Sequence, residues 1–199
     1  MVNYSNIFVN EGLSYSRYRD LIDSLLKNGK TTGEDHSEAL LNYTKLNVMR
    51  MNRVDKTTIL NEQLISAVNS VKKHYRLLVI TEGWCGDAAQ IVPVFNKIAE
   101  MAADRFELAF VLRDTNLPLI DAHLTKGGRA IPKLLVLDND GVLVAEWGPR
   151  PAILQQLLFG WKSEEPDMLI VAEKLHLWYA KDKTQTTQQE IAALFKELI

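Results

Sequence analysis

The sequence predicts an α/β fold, a central sheet between helices with further helices added at both ends. Two observations carry that prediction. Apolar runs at residues 77–81 and 106–112 bracket a stretch of helical period, which is the pattern of a βαβ unit. Two more apolar runs, 134–137 and 142–147, flank Asn139-Asp140-Gly141 and read as an antiparallel hairpin. With 199 residues, 47% of them hydrophobic, the chain is long enough to bury one substantial core.

Taken in order, Tyr18, Leu21, Ile22, Leu25 and Leu26 fall on one helical face, and a second helix is expected over residues 38–51. Gly29 and Thr31-Thr32-Gly33 separate the two. A third helix over 61–74 places Leu64, Ile65, Val68 and Val71 on one side. The run 77–81 is continuously apolar and reads as a buried central strand leading straight into Glu82-Gly83-Trp84-Cys85-Gly86-Asp87. Ile91, Phe95, Ile98 and Met101 then follow a helical period to about residue 103. After the second strand, a short helix at 117–124 and a Gly127-Gly128 loop lead to Ile131-Pro132.

Pro149 and Pro151 stop the hairpin's second strand, and Pro151 suits the first turn of a helix running to about 159. Another helix is expected over 167–180 and a last one from Thr187, where Thr187 and Glu190 have capping-box spacing. Ile191, Leu194, Phe195 and Leu198 give that helix a core-facing stripe. The expected organisation is one domain: an N-terminal helical extension (1–58), an α/β core (59–162) and a C-terminal helical extension (163–199).

Charge excludes several classes of function. Twenty-three basic and 25 acidic residues, for a net charge of −2, are spread along the chain and leave no footprint for nucleic acid or an anionic membrane. Residues 1–12 lack the features of a secretory signal, and no apolar run approaches the roughly 18–20 residues of a spanning helix. A soluble, cytoplasmic protein is expected. His36, His74, His123 and His176 are scattered and no second cysteine exists, so no metal site or cofactor is expected, and the histidines should lie on helix surfaces or ends.

Cys85 stands between a strand end and a helix start. Free backbone N–H groups and the helix dipole there favour a thiolate, and hence reactivity at neutral pH. Trp84-Cys85-Gly86 after an apolar strand, Pro93 within the following helix, and Ile131-Pro132 before the next strand together resemble the thioredoxin family over about residues 60–162. The resemblance implies a thioredoxin-like three-layer α/β/α sandwich with additional N- and C-terminal helices, and Pro132 in the cis form beside Cys85. It also implies a substrate groove to which Trp84, Gly86, Arg129, Ala130, Ile131 and Pro132 contribute, with Ala130 and Ile131 offering backbone hydrogen bonds to an extended segment. Gly86 would let the backbone turn tightly, and Pro93 would kink its helix.

The sequence departs from dithiol thioredoxins at three linked positions. Ala88 replaces the resolving cysteine, Val79 stands where a buried acid often assists it, and Phe110 where a lysine often pairs with that acid. Without a second thiol, a buried acid has no such task and would be costly to desolvate. Monothiol glutaredoxins are a poorer match: Ala130-Ile131-Pro132 and Trp84-Cys85-Gly86-Asp87 differ from their usual motifs, and one thiolate supplies only part of a four-thiolate iron–sulfur shell.

Asp87 has two readings, as a first-turn acid that favours the helix start or as a catalytic proton relay to Cys85. As an anion it would also raise the thiol pKa. Arg129 could pair with Asp87, hold a substrate carboxylate or point into water. The leading expectation is a thiol–disulfide oxidoreductase acting by mixed-disulfide exchange through Cys85, with protein disulfides or low-molecular-weight thiols as partners. The alternatives are a redox-inactive interaction module on the same fold and, third, a thiol peroxidase or redox sensor.

Overall fold

The strands form one four-stranded sheet in the order β2-β1-β3-β4. β1 (Tyr75–Thr81) runs parallel to β2 (Phe106–Leu112) and antiparallel to β3 (Lys133–Leu137), and β3 pairs antiparallel with β4 (Leu143–Trp147). α5 (Gly86–Met101) makes the crossover between the two parallel strands, which cannot be joined by a tight turn. This computed structural model describes residues 2–198. β3 is buried at every position and β1 at all but one. Strands so apolar need helices on both faces of the sheet.

The remaining helices are α1 (Tyr4–Asn10), α2 (Tyr15–Lys27), α3 (Glu38–Thr57), α4 (Glu62–Ser70), α6 (Leu117–Asp121), α7 (Ala152–Glu164), α8 (Met168–Asp182) and α9 (Gln185–Lys196). The helices at the two ends of the chain join the same hydrophobic core as the sheet. Tyr18 of α2 stacks on Phe110 at 5.4 Å between centroids, and its hydroxyl lies 3.2 Å from Thr81 Oγ1. Phe195 of α9 stacks on Phe106 at 4.8 Å. Gln188, fully buried, accepts from the Asn61 N–H at 2.7 Å and donates to the Ile59 carbonyl at 3.2 Å. These bonds tie α9 to the start of α4.

Several elements differ from the sequence reading, each for a local reason. α1 was not foreseen; it is a seven-residue helix capped by Asn3, whose side chain accepts from the Asn6 N–H at 3.0 Å. Just beyond it, Leu13 exchanges two 2.8 Å backbone hydrogen bonds with Phe110 and so covers part of the free edge of β2. α4 stops at Ser70, because Val71 already has extended backbone.

The capping box does not form: α9 starts at Gln185, and Thr187 is buried inside it. Glu190 instead accepts from Trp147 Nε1 and from the Ala152 N–H, both at 2.7 Å. It thereby satisfies a first-turn donor of α7. Nor are the histidines all ordinary surface residues. His123 is buried between the Tyr4 hydroxyl at 2.9 Å and the Glu146 carboxylate at 2.7 Å.

Candidate active site

β1 delivers Glu82 to Cys85 at its C-terminal end, and α5 begins immediately afterwards. Cys85 is the N-cap of that helix: its Sγ accepts from the Ala88 N–H at 3.5 Å. The thiol also donates to the Ile131 carbonyl at 3.2 Å, a bond that needs the proton on sulfur. The Ile131–Pro132 bond is cis, and Pro132 is buried. Behind this loop Gly148, at φ +120°, passes so close to the Pro132 carbonyl that a Cβ would collide with it. Cys85, Ile131 and Pro132 thus meet as one site, although Cys85 is only 8% exposed.

The thiolate favoured by the helix start is opposed by burial. Burial, reinforced by the Asp87 charge, pushes the Cys85 thiol up to about 12, and the Ala88 N–H and the Arg150 charge only partly oppose this.

The Asp87 side chain is held by partners other than the thiol. Its carboxylate accepts from the Tyr179 hydroxyl at 2.6 Å and from Arg150 in a two-pronged pair, Nε at 3.0 Å and Nη2 at 2.6 Å. Both partners of the ion pair are nearly buried, with side chains 8% and 12% exposed. Arg150 Nη1 donates onward to Gln155 at 2.6 Å. The arginine at Asp87 is therefore Arg150. Arg129 is exposed and pairs with Asp121 at 2.6 and 2.9 Å. Asp87 joins the start of α5 to the segment before α7 and to α8.

Gly86 is needed here for space. Its φ is not positive, so the tight-turn argument does not apply. A Cβ at Gly86 would instead collide with the Tyr43 hydroxyl of α3 and lie 2.9 Å from the His176 ring of α8. Tyr43 and His176 Nε2 are 2.8 Å apart, and Gln90 Nε2 lies 3.2 Å from His176 Nδ1. With Nδ1 accepting from the amide, the network assigns the ring proton to Nε2, donating to Tyr43. Burial, aided by the Arg50 charge, holds His176 down at about 4 and so neutral at pH 7. The Tyr43–His176 bridge is a cover over the residue next to the cysteine.

The loop before Cys85 is anchored from the N-terminal segment. Asn47 Nδ2 donates to the Gly83 carbonyl at 3.1 Å, and the Gly83 N–H donates to Thr32 Oγ1 at 2.9 Å. The Thr32 hydroxyl donates to Glu82, whose other oxygen accepts from the Asp114 N–H at 2.9 Å. Trp84 is half-buried, with the Arg113 guanidinium 4.6 Å from its ring centroid.

Glu82 is fully buried, and burial pushes its carboxyl up to about 7. A carboxyl with a raised folded-state pKa keeps its proton more tightly when folded, so its stabilising effect is complete below about pH 4.5 and is lost as pH rises toward 7. Stability measured by urea unfolding should fall over that window, and Glu82→Gln should flatten the fall. An unchanged pH profile in the variant would show that Glu82 does not set it.

A thioredoxin family model matches residues 33–168. The chain belongs to the thioredoxin family. Within this thioredoxin-family chain the match takes in α3, with Tyr43 and Asn47, as well as the sheet, and ends at the first residue of α8. No curated protein matches the chain. Among solved structures it is similar to a protein of unknown function from Pseudomonas aeruginosa, at TM-score 0.57 and 17% identity over 94% of this chain and 99% of that one. It is also similar to an HIV epitope-scaffold, at TM-score 0.55 and 17% identity over 93% and 99% of the two chains. At this identity the likeness is one of fold alone. Among the described residues no helix is long and apolar enough to cross a membrane, and no cluster of three or more His, Cys, Asp or Glu side chains could hold a metal ion.

Proposed function

We propose that this thioredoxin-family protein performs thiol–disulfide exchange through Cys85 alone, resting as a covered, protonated thiol that reacts once the Tyr43–His176 bridge opens. The observation that supports this most is the 3.2 Å bond from the thiol to the Ile131 carbonyl, which holds the single sulfur against the Pro132 loop. Ionised Cys85 Sγ attacks one sulfur of a partner disulfide. A new S–S bond forms, the partner's own S–S bond breaks, and its second sulfur leaves as a thiolate that takes a proton from water. Ala88 offers no second thiol, so an external thiol must attack the mixed disulfide and release Cys85.

The reading is tested by incubating the reduced protein with oxidised glutathione and following adducts by intact mass. A single adduct should accumulate, about tenfold faster per pH unit between neutral pH and about pH 9, as the thiolate fraction grows. Cys85→Ser should give none. The idea fails if the folded protein forms no adduct over this range while the urea-unfolded chain does. A redox-independent interaction module would then be the better reading. It already draws support from the thiol being covered and protonated at rest, and it requires that partner binding survive Cys85→Ser.

A further inference from the structure

We infer that the groove between α3 and α8, beside the cover over Gly86, binds the carboxylate or phosphate group of a small organic anion through Arg50 and Arg53. Leu46, Met49, Arg50, Arg53, Gln90 and His176 line a groove of about 420 Å³. An adjoining hollow of about 380 Å³ shares Arg53 and Gln90 and adds Lys183. Each is large enough for a small molecule.

The arginines are what distinguish this place. Arg19, Arg76, Arg105, Arg113, Arg129 and Arg150 each meet a carboxylate. Arg17, exposed on α2, meets none among the described residues, whereas Arg50 and Arg53, which also meet none there, line one groove together. Neutral amides hold them instead: Arg50 Nη1 donates to Asn47 Oδ1 at 2.7 Å, and Arg53 Nη2 donates to Gln90 Oε1 at 2.9 Å. Arg50 is further steadied over the Tyr43 ring, 5.1 Å from its centroid.

Three residues apart on one helix, the two guanidiniums repel each other. Burial and the Arg53 charge both lower the Arg50 pKa, and Arg50 and Arg53 in turn help keep His176 neutral. Asp87, the buried carboxylate nearby, is already paired with Arg150. Positive charge is thus gathered without a resident counter-ion, and planar guanidinium forks suit carboxylate or phosphate oxygens. Leu46 and Met49, 47% and 66% exposed, offer apolar surface for the body of the ligand. Gln90 and His176 connect the groove directly to the cover over Gly86.

The intact protein should be titrated by calorimetry, at ionic strength fixed with chloride, against phenyl phosphate and phenylacetate, which share a ring and differ in the anionic group. Saturable binding of at least one, with Kd below about 10 mM, is expected, and the tighter of the two identifies the preferred group. Arg53→Met, on an exposed side chain, should weaken binding at least about tenfold, and Arg50→Met likewise, since each removes a charge-assisted contact. Arg17→Met, altering an exposed arginine elsewhere, should change nothing. Cys85→Ser should bind normally, which separates this site from the exchange chemistry. If neither probe saturates, or if Arg53→Met binds as the parent does, the inference is wrong.

Discussion

Asp87→Ala is expected to destabilise the protein by about 3–5 kcal/mol, because it strands the Arg150 guanidinium in a nearly buried position without its counter-charge. The buried Tyr179 hydroxyl loses its acceptor as well. The same change should bring the Cys85 thiol down, since Asp87 raises it while Arg150 lowers it and only the arginine would remain. Urea unfolding reads the first effect, and the pH dependence of alkylation reads the second. Asp87→Asn separates them: the amide keeps an acceptor for Arg150 and Tyr179, so stability should fall less while the thiol still shifts down. A loss below about 1 kcal/mol in Asp87→Ala would mean the pair contributes no more than an exposed ion pair.

Gly86→Ala should produce the second large effect. The new methyl group would collide with the Tyr43 hydroxyl and press on the His176 ring. Overpacking of this kind costs about 1–3 kcal/mol. Relief comes most readily by displacing the cover, so Cys85 should alkylate faster at a given pH than in the parent protein. Tyr43→Phe in the same background should recover part of the stability by removing the colliding oxygen. If Gly86→Ala leaves both stability and alkylation unchanged, the cover does not control access to the thiol.

The sheet was legible in the sequence because its strands are short, mostly apolar runs bounded by turn residues. β2 occupies the predicted residues 106–112, and the Asn139-Asp140-Gly141 turn separates β3 from β4. The approach of Cys85 to the Pro132 loop is also marked locally, by Trp84-Cys85-Gly86 and Ile131-Pro132. What surrounds the sulfur was not legible. Tyr43 and His176 lie 133 residues apart in helices whose own patterns speak only of packing. Arg150 carries no sign, in a turn between two prolines, that it rather than Arg129 would reach Asp87. Glu82 did carry a signal, an acid directly following an apolar strand, but its burial depends on Thr32 and on the Asp114 N–H. The opposition to a thiolate was hidden for the same reason. A helix start seen in one dimension predicts stabilised negative charge, whereas α3 and α8 close over it and leave desolvation dominant.

The most direct test is the pH dependence of Cys85 alkylation in the reduced, folded protein, with the urea-unfolded chain as reference and Cys85→Ser as blank. A covered, protonated thiol predicts a native rate far below that of the unfolded chain at neutral pH, still rising without a plateau beyond about pH 9. A plateau with its midpoint below about 8.5, the value of an ordinary thiol, would contradict it.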